Sequence, residues 1–277
     1  MSSNRDKGLQ FSNQQARNDN RNADVINKMF NDNKQVFIAW WASFNDKYPD
    51  FDQADYSSYP DPSLVNEINQ YANENGIKTV SVNNVDQLLE YAVMVFTSVV
   101  ALKAIDYISK SLKDEAKVTA DFGAKLYDQA VEQVGKDILD IDFSGQKWSK
   151  RIWKSQSKLR TDLSNIMRSA LLDAENPTTY IQAIKDKYGV SSYQAERILR
   201  TEGARVSAAQ QAKSAIGAGY DKLEWATGAG ACRYCSELDG KQFKASKFGS
   251  GKWVIPRHPN CRCTVIAAGD TDIDKYI

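Results

Sequence analysis

Apolar side chains recur at helical spacing through most of this chain. From about Ala23 to Lys47, residues Val25, Ile26, Met29, Phe30, Val36, Phe37 and Trp40 form a stripe that predicts a first helix. The stretch before it, residues 1–24, is rich in Asn, Gln, Arg and Ser and poor in apolar side chains, which predicts a flexible arm. A Pro-, Asp- and Tyr-rich loop over Tyr48 to Pro62 leads into a short helix, Pro62 to Asn75, stopped before Gly76. Lys78 to Val82 is expected to be extended. Asn84 to about Ser111 reads as a long helix, and Glu115 to Leu139 as another, interrupted or kinked near Gly123.

The pattern changes at Asp142-Phe143-Ser144-Gly145, where a domain boundary is expected. A helix from about Ser144 to Ala174 carries Trp148, Ile152, Leu159, Leu163, Ile166 and Ala170 on one buried stripe. Asn176-Pro177 predicts the start of another helix, ended by Gly189, with Ser191 or Ser192 capping a further one to about Ala218. That last helix holds Arg200-Thr201-Glu202 and Arg205, read as a packing element with intrahelical pairs Glu196 to Arg200 and Glu202 to Arg205. Beyond Gly219 the period shortens, so strands are expected around Leu223 to Ala226, Lys241 to Phe243 and Trp253 to Ile255. Asp239-Gly240 offers a hairpin turn. The fold class expected is mainly α with a small C-terminal α+β module, over the segments 1–24, 25–143, 144–219 and 220–277.

Charge sharpens this division. The net charge is +1, but residues 1–143 carry −8, residues 144–213 carry +7 and residues 214–277 carry +2. Lys147, Lys150, Arg151, Lys154 and Lys158 form a basic stripe beside the apolar one, and no acidic residue occurs between 143 and 161. Such a stripe is either a solvated face or a contact for DNA phosphates or an acidic protein surface. The longest uncharged apolar run, Tyr91 to Leu102, is short for a bilayer span and reads as a buried helix, so no membrane association is expected.

The candidate chemistry lies at the C-terminal end. All four cysteines and the single histidine fall between Cys232 and Cys263, as Cys232-x-x-Cys235 followed by His258-Pro259-Asn260-Cys261-Arg262-Cys263. A Cys-x-x-Cys turn offers two thiolates to one tetrahedral ion, and the second cluster completes the set. The expected structural zinc site is Cys232, Cys235, His258 and Cys263, with Cys261 as the substitute. Two disulfides are the alternative, but the chain starts without a secretory signal, so a reducing compartment and persistent thiols are expected. Four protein ligands would leave no place for a catalytic water. The zinc deaminase order, His-x-Glu before Cys-x-x-Cys, is reversed here, and Asn260 stands where its Glu would be. In Gly249-Ser250-Gly251-Lys252 the pattern of a phosphate-binding loop fails, because Ser246 replaces its first glycine and Trp253 its hydroxyl residue.

The second half resembles the minor head protein family of tailed bacteriophages, the Mu F-like or head morphogenesis proteins. The resemblance rests on Trp148-Ser149 with Arg151-Ile152-Trp153, Arg200-Thr201-Glu202, Trp225 and Cys232-x-x-Cys235. It continues through Leu238-Asp239-Gly240-Lys241 with Phe243, and ends on His258-Pro259-Asn260-Cys261-Arg262-Cys263-Thr264. It covers about residues 140 to 268, and the final Cys-rich string is its most specific piece. The resemblance implies a few-copy, non-enzymatic head component that associates with the portal protein, with double-stranded DNA, scaffold or major capsid protein as further partners. It implies a place inside the virion head near the portal, and in the host bacterial cytoplasm during assembly.

Overall fold

Runs of helix-forming residues longer than the sequence punctuation suggests dominate the architecture. The computed structural model describes residues 3–48, 57–130, 138–139, 147–172, 180–228 and 230–271. Its long helices are α1 (Asn4–Lys47), α2 (Pro62–Glu74), α3 (Val85–Tyr127), α4 (Trp148–Leu172) and α5 (Ile181–Gly217). They are followed by strand β1 (Tyr220–Ala226), the single turn α6 (Arg233–Ser236), β2 (Gln242–Lys244), a 3-10 turn (Ala245–Lys247) and β3 (Thr264–Thr271). The chain is therefore mainly α with a small C-terminal α+β part, as expected.

Several boundaries differ from expectation, each for a physical reason. The two helices expected over 84–111 and 115–139 are one through Tyr127, because Ile108, Leu112, Ala116 and Ala120 continue a single buried stripe and nothing between them breaks a helix. Gly123 does not interrupt it: a Cβ there would come within 2.5 Å of Ser214, so the glycine permits close approach of α5. Gly189 likewise lies within α5, and Ser191 and Ser192 are buried packing residues rather than caps. Ser191 Oγ accepts from Gln156 Nε2 at 2.8 Å, and Ser192 donates to Asn27. The expected helix start at Asn176-Pro177 and the boundary expected at Asp142-Phe143-Ser144-Gly145 lie outside the described residues. Helix α2 starts as predicted, with the Asp61 carboxylate accepting from Ser63 N at 2.8 Å and Pro62 at the first position. Lys78 to Val82 is not a strand.

The described chain groups into two compact units, each discontinuous in sequence. One comprises Val25–Asp106 and Ser149–Ala195, the other Met1–Asp24, Tyr107–Trp148 and Glu196–Ile277. This division cuts across the four segments expected from composition, because α1, α3 and α5 each contribute to both units.

The 25–106/149–195 unit is an all-helical aromatic core. Phe37 meets Phe96 edge-on at 5.2 Å between centroids, and Trp41 stacks on Phe44 at 5.4 Å. Buried Asn33 ties three elements together: its amide donates to Phe96 O (3.2 Å) and Tyr71 Oη (2.9 Å), and its carbonyl accepts from Tyr188 Oη (2.9 Å). By length and composition alone α3 could cross a membrane, which amends the expectation drawn from its uncharged run, but 67% of its most apolar window is buried, as in a core helix. On α4, Ile152, Leu159 and Leu163 are buried as predicted, and Met167 joins them, whereas Ile166 is half-buried.

The second unit holds an antiparallel sheet of order β2-β1-β3, with Leu223 opposite Phe243 and Trp225 opposite Val265. These four side chains point inward against Ala208, Ala212 and Ala215 of α5, together with Cys235, Cys261 and Cys263. The stretch expected as a strand at Trp253 to Ile255 is irregular; Trp253 stacks on Phe243 at 4.1 Å, and the third strand is instead Thr264–Thr271. Asp239-Gly240 does not form a two-residue hairpin, because α6 intervenes between β1 and β2. Asp239 Oδ1 instead accepts from Thr227 N and Oγ1, both at 2.9 Å, and Gly240 takes the left-handed φ of 71° that the turn requires.

The flexible arm expected over 1–24 is helical from Asn4. Its partners are tertiary: Arg5 pairs with Glu224 and, at 3.0 Å, with Asp239; Gly8 lies against Ile266; Phe11 stacks on Phe122 at 4.1 Å. Gln15 and Asp19 are buried. Composition alone hides this, since a polar helix packed on polar partners looks like disordered chain.

Candidate metal centre

Local backbone geometry brings both ends of the Cys/His pattern together. Cys232 caps α6, and its carbonyl accepts from Cys235 N (3.0 Å) and Ser236 N (2.9 Å), which turns the two sulfurs to one side. The second arm is a turn closed by Cys261 N donating to His258 O at 3.1 Å, with Asn260 at φ 60° between them. His258 Nε2 then lies 3.1 Å from Cys232 Sγ and 3.3 Å from Cys235 Sγ, while Cys261 Sγ is 3.9 Å from Cys235 Sγ. All four cysteines are free thiols, and the disulfide alternative is not realised in the structure.

The ligand atoms form two overlapping groups, Cys232, Cys235 and His258, and Cys235, Cys261 and Cys263, each lying within 4.8 Å. The cluster could hold a metal ion. Zinc–sulfur bonds of about 2.3 Å at tetrahedral angles place sulfurs about 3.8 Å apart, close to the Cys235 to Cys261 separation. His258 Nδ1 faces Pro259 O at 2.8 Å; a proton donated there leaves the Nε2 lone pair aimed at the sulfurs. All five expected ligand residues therefore meet, with Cys261 and Cys263 both within 4.8 Å of Cys235.

The charge state of the site follows its contacts. Backbone amides, led by that of Cys235, hold the Cys232 thiol low. The neighbouring Cys263 thiol, as hydrogen-bond donor, pulls Cys261 down to about 5, and Cys263 is pushed up by the same bond. Burial and the Cys261 charge push Cys235 up to about 12. For His258, burial opposes protonation, but the Pro259 carbonyl and the Cys261 and Cys232 sulfurs outweigh it and raise its pKa. Crowded sulfurs competing for protons are what a cation would relieve.

The remaining expected residues are dispersed. Lys150, Lys154 and Lys158 are exposed on α4 and Arg151 is half-buried, with Lys158 also 3.5 Å from Asp162; Lys147 is exposed just before the helix. Arg200 pairs with Glu196 at 3.2 Å. The Glu202–Arg205 pair is no surface pair: Nε to Oε2 is 2.6 Å, the side chains are 1% and 6% exposed, and Arg205 Nη1 also donates to Ile138 O at 2.7 Å. Asp239 anchors Thr227 and Arg5, at the edge of the module rather than at the sulfurs.

The contacts that hold the loop from His258 to Cys263 were not legible from sequence. Asn260 N donates to Thr201 Oγ1 at 3.0 Å, and Arg262 donates to Asn20 Oδ1 at 2.9 Å and Ala16 O at 3.5 Å. Nor were the buried Asp19 and Glu115 carboxyls, which converge beside Gly203 on α5. Nothing in the arm's polar sequence marked Asp19, whereas Thr201 and Asn260 both sat within motifs already singled out.

A mainly helical chain ending in a small, Cys/His-clamped three-stranded module is thus the class defined. Residues 161–266 match the family model described as Phage Mu protein F like protein, which supports the Mu F-like head morphogenesis family. The match contains Thr201, all five candidate ligands and β1, and it leaves out Trp148 to Trp153. No curated protein and no solved structure matches the chain significantly.

Proposed function

We propose that this chain is a minor head protein of a tailed bacteriophage, acting inside the virion head at the portal, with one structural zinc ion in its C-terminal module. The observation that carries the reading is a coincidence: the segment that matches the Mu F-like family is the one whose cysteines and histidine close into a single cluster. Thiolates with one imidazole suit Zn²⁺ over hard cations. The ligands would be Cys232, Cys235, His258 and Cys261, with Cys263 beside them. The ion would supply folding energy by joining α6 to the loop before β3, and a closed ligand set would bind no water. The role is accordingly structural and not enzymatic.

Docking on the portal is proposed for the exposed basic face of α4, Lys150, Lys154 and Lys158, against an acidic surface. The same face supports a second reading, a nucleic-acid contact with packaged double-stranded DNA. The test is metal content of the purified chain, co-sedimentation with the portal protein of the same phage, and duplex-DNA affinity across a salt series. One zinc per chain and a saturable portal complex are expected. Steeply salt-dependent DNA binding without a portal complex would favour the second reading, and absence of both zinc and complex would overturn the proposal.

A further inference from the structure

We infer that Thr201 is a positioning residue for the metal centre, fixing to helix α5 the turn that carries His258 and Cys261. The inference rests on the metal reading above. Asn260, which with Pro259 separates those two ligands, lies in the left-handed backbone region that residues other than glycine enter infrequently. One side of its turn is closed by the Cys261 N to His258 O bond, and the other is tied by Asn260 N donating to Thr201 Oγ1 at 3.0 Å.

The hydroxyl is prepared for this task. Thr201 Oγ1 donates its own proton to Arg197 O, one helical turn back, at 2.6 Å. Its lone pairs therefore face Asn260 as an acceptor, with no freedom to turn the proton toward it. Thr201 is 1% exposed, so water does not compete for the bond. The helix around it is braced by Arg200 to Glu196 at 3.2 Å and by the buried Glu202–Arg205 pair. The Arg200-Thr201-Glu202 element thus has a division of labour, in which the charged residues brace α5 and the hydroxyl between them holds the ligand turn. A metal site whose ligands sit on a loop depends on such outer contacts to keep their geometry.

The experiment compares the full-length parent with Thr201→Val, Thr201→Ser and Asn260→Gly, measuring zinc affinity by competition with a chromophoric chelator and the absorption spectrum of the Co²⁺ form. Thr201→Val keeps the shape and removes the acceptor, so affinity should fall about 10- to 100-fold, the usual effect of losing an outer-sphere contact, with a changed Co²⁺ spectrum. Thr201→Ser restores the acceptor and should return both readouts to parental values. Asn260→Gly keeps the backbone N–H and suits the positive φ, and should also retain affinity. If Thr201→Val fails to fold, Thr201→Ala makes the same comparison with less bulk. Parental affinity in folded Thr201→Val or Thr201→Ala, or an equal loss in Thr201→Ser, overturns the inference alone; a parent that takes up neither zinc nor cobalt overturns the metal reading and the inference with it.

Discussion

Replacing Cys235 by Ser should release not only the C-terminal module but also the first turns of α1. Cys235 belongs to both candidate ligand groups and to the hydrophobic cluster beneath the sheet, so its loss removes a ligand from the centre of the core. A structural zinc contributes about 10–16 kcal/mol in small metal-folded domains, as much as the whole stability of a typical domain at about 5–15 kcal/mol. What then remains to hold residues 4–24 is small. The ion pairs of Arg5 to Glu224 and Asp239, the contact of Gly8 with Ile266, and the Arg262 bonds to Ala16 and Asn20 all come from the module and vanish with it. The Phe11–Phe122 stack, worth about 0.5–1.5 kcal/mol beyond its buried area, survives, as do the Tyr107 Oη to Asn22 Oδ1 bond at 2.9 Å and the approach of Asp19 to Gly203 on α5. Ordering each backbone residue costs about 1–2 kcal/mol, so these few contacts fall short of what holds a polar segment of this length docked. Limited trypsin digestion reads the outcome at Arg17 and Arg21, and hydrogen exchange reads it independently. In the parent both sites should be protected, and in Cys235→Ser or after chelation both should be cut at rates comparable to sites beyond residue 220. Opening of the module with residues 4–24 still protected would refute the reasoning.

Three further outcomes are expected. Cys261→Ser should cost more zinc affinity than Cys263→Ser, because the 3.9 Å from Cys261 Sγ to Cys235 Sγ is close to that of two sulfurs on one zinc; the reverse order, by chelator competition, would restore Cys263 as the ligand. Arg205→Ala removes the charge facing buried Glu202 and should cost about 3–5 kcal/mol in urea unfolding, whereas a change of a few tenths would mean the pair behaves as an exposed one. Burial raises the Asp19 carboxyl from 3.8 to about 7, with Arg262 and Arg200 pulling it partway back, so the folded state keeps a proton that the unfolded chain has lost. That stability is full below about pH 4 and is lost as pH rises to about 7, by up to ~4 kcal/mol, so the stability advantage of Asp19→Asn over the parent should grow from pH 5 to pH 8. An advantage independent of pH would show that Asp19 is ionised throughout.

The Cys/His cluster was legible because its information is local. Cys-x-x-Cys can form only a tight turn, and a chain with one histidine and four cysteines inside 32 residues has few ways to arrange them. The apolar stripe of α4 was legible for the same reason, since Ile152, Leu159 and Leu163 define a face without reference to anything else. Helix continuity was less so. Gly123 and Gly189 read as punctuation, but at Gly123 the missing side chain serves the approach of Ser214, a residue 91 positions away. Propensity is a weak local preference, and a buried stripe on either side of a glycine outweighs the roughly 1 kcal/mol it costs within a helix.

Illegible from sequence were the contacts in which polar groups find distant polar partners. Residues 4–24 have the composition of a solvated tail, yet Arg5, Asn20 and Asp19 face Glu224, Asp239 and Arg262, all of them beyond residue 220. The His258 to Cys263 loop stands at the meeting of these contacts: Asn260 reaches Thr201 on α5, Arg262 reaches α1, and His258 reaches Cys232 at the start of α6. An ion at that point would fix three separate elements at once. With an ion bound, the compact unit containing the module would depend on the Cys/His cluster for its N-terminal turns as much as for its sheet, and a domain boundary drawn near residue 220 would divide what that ion would hold together.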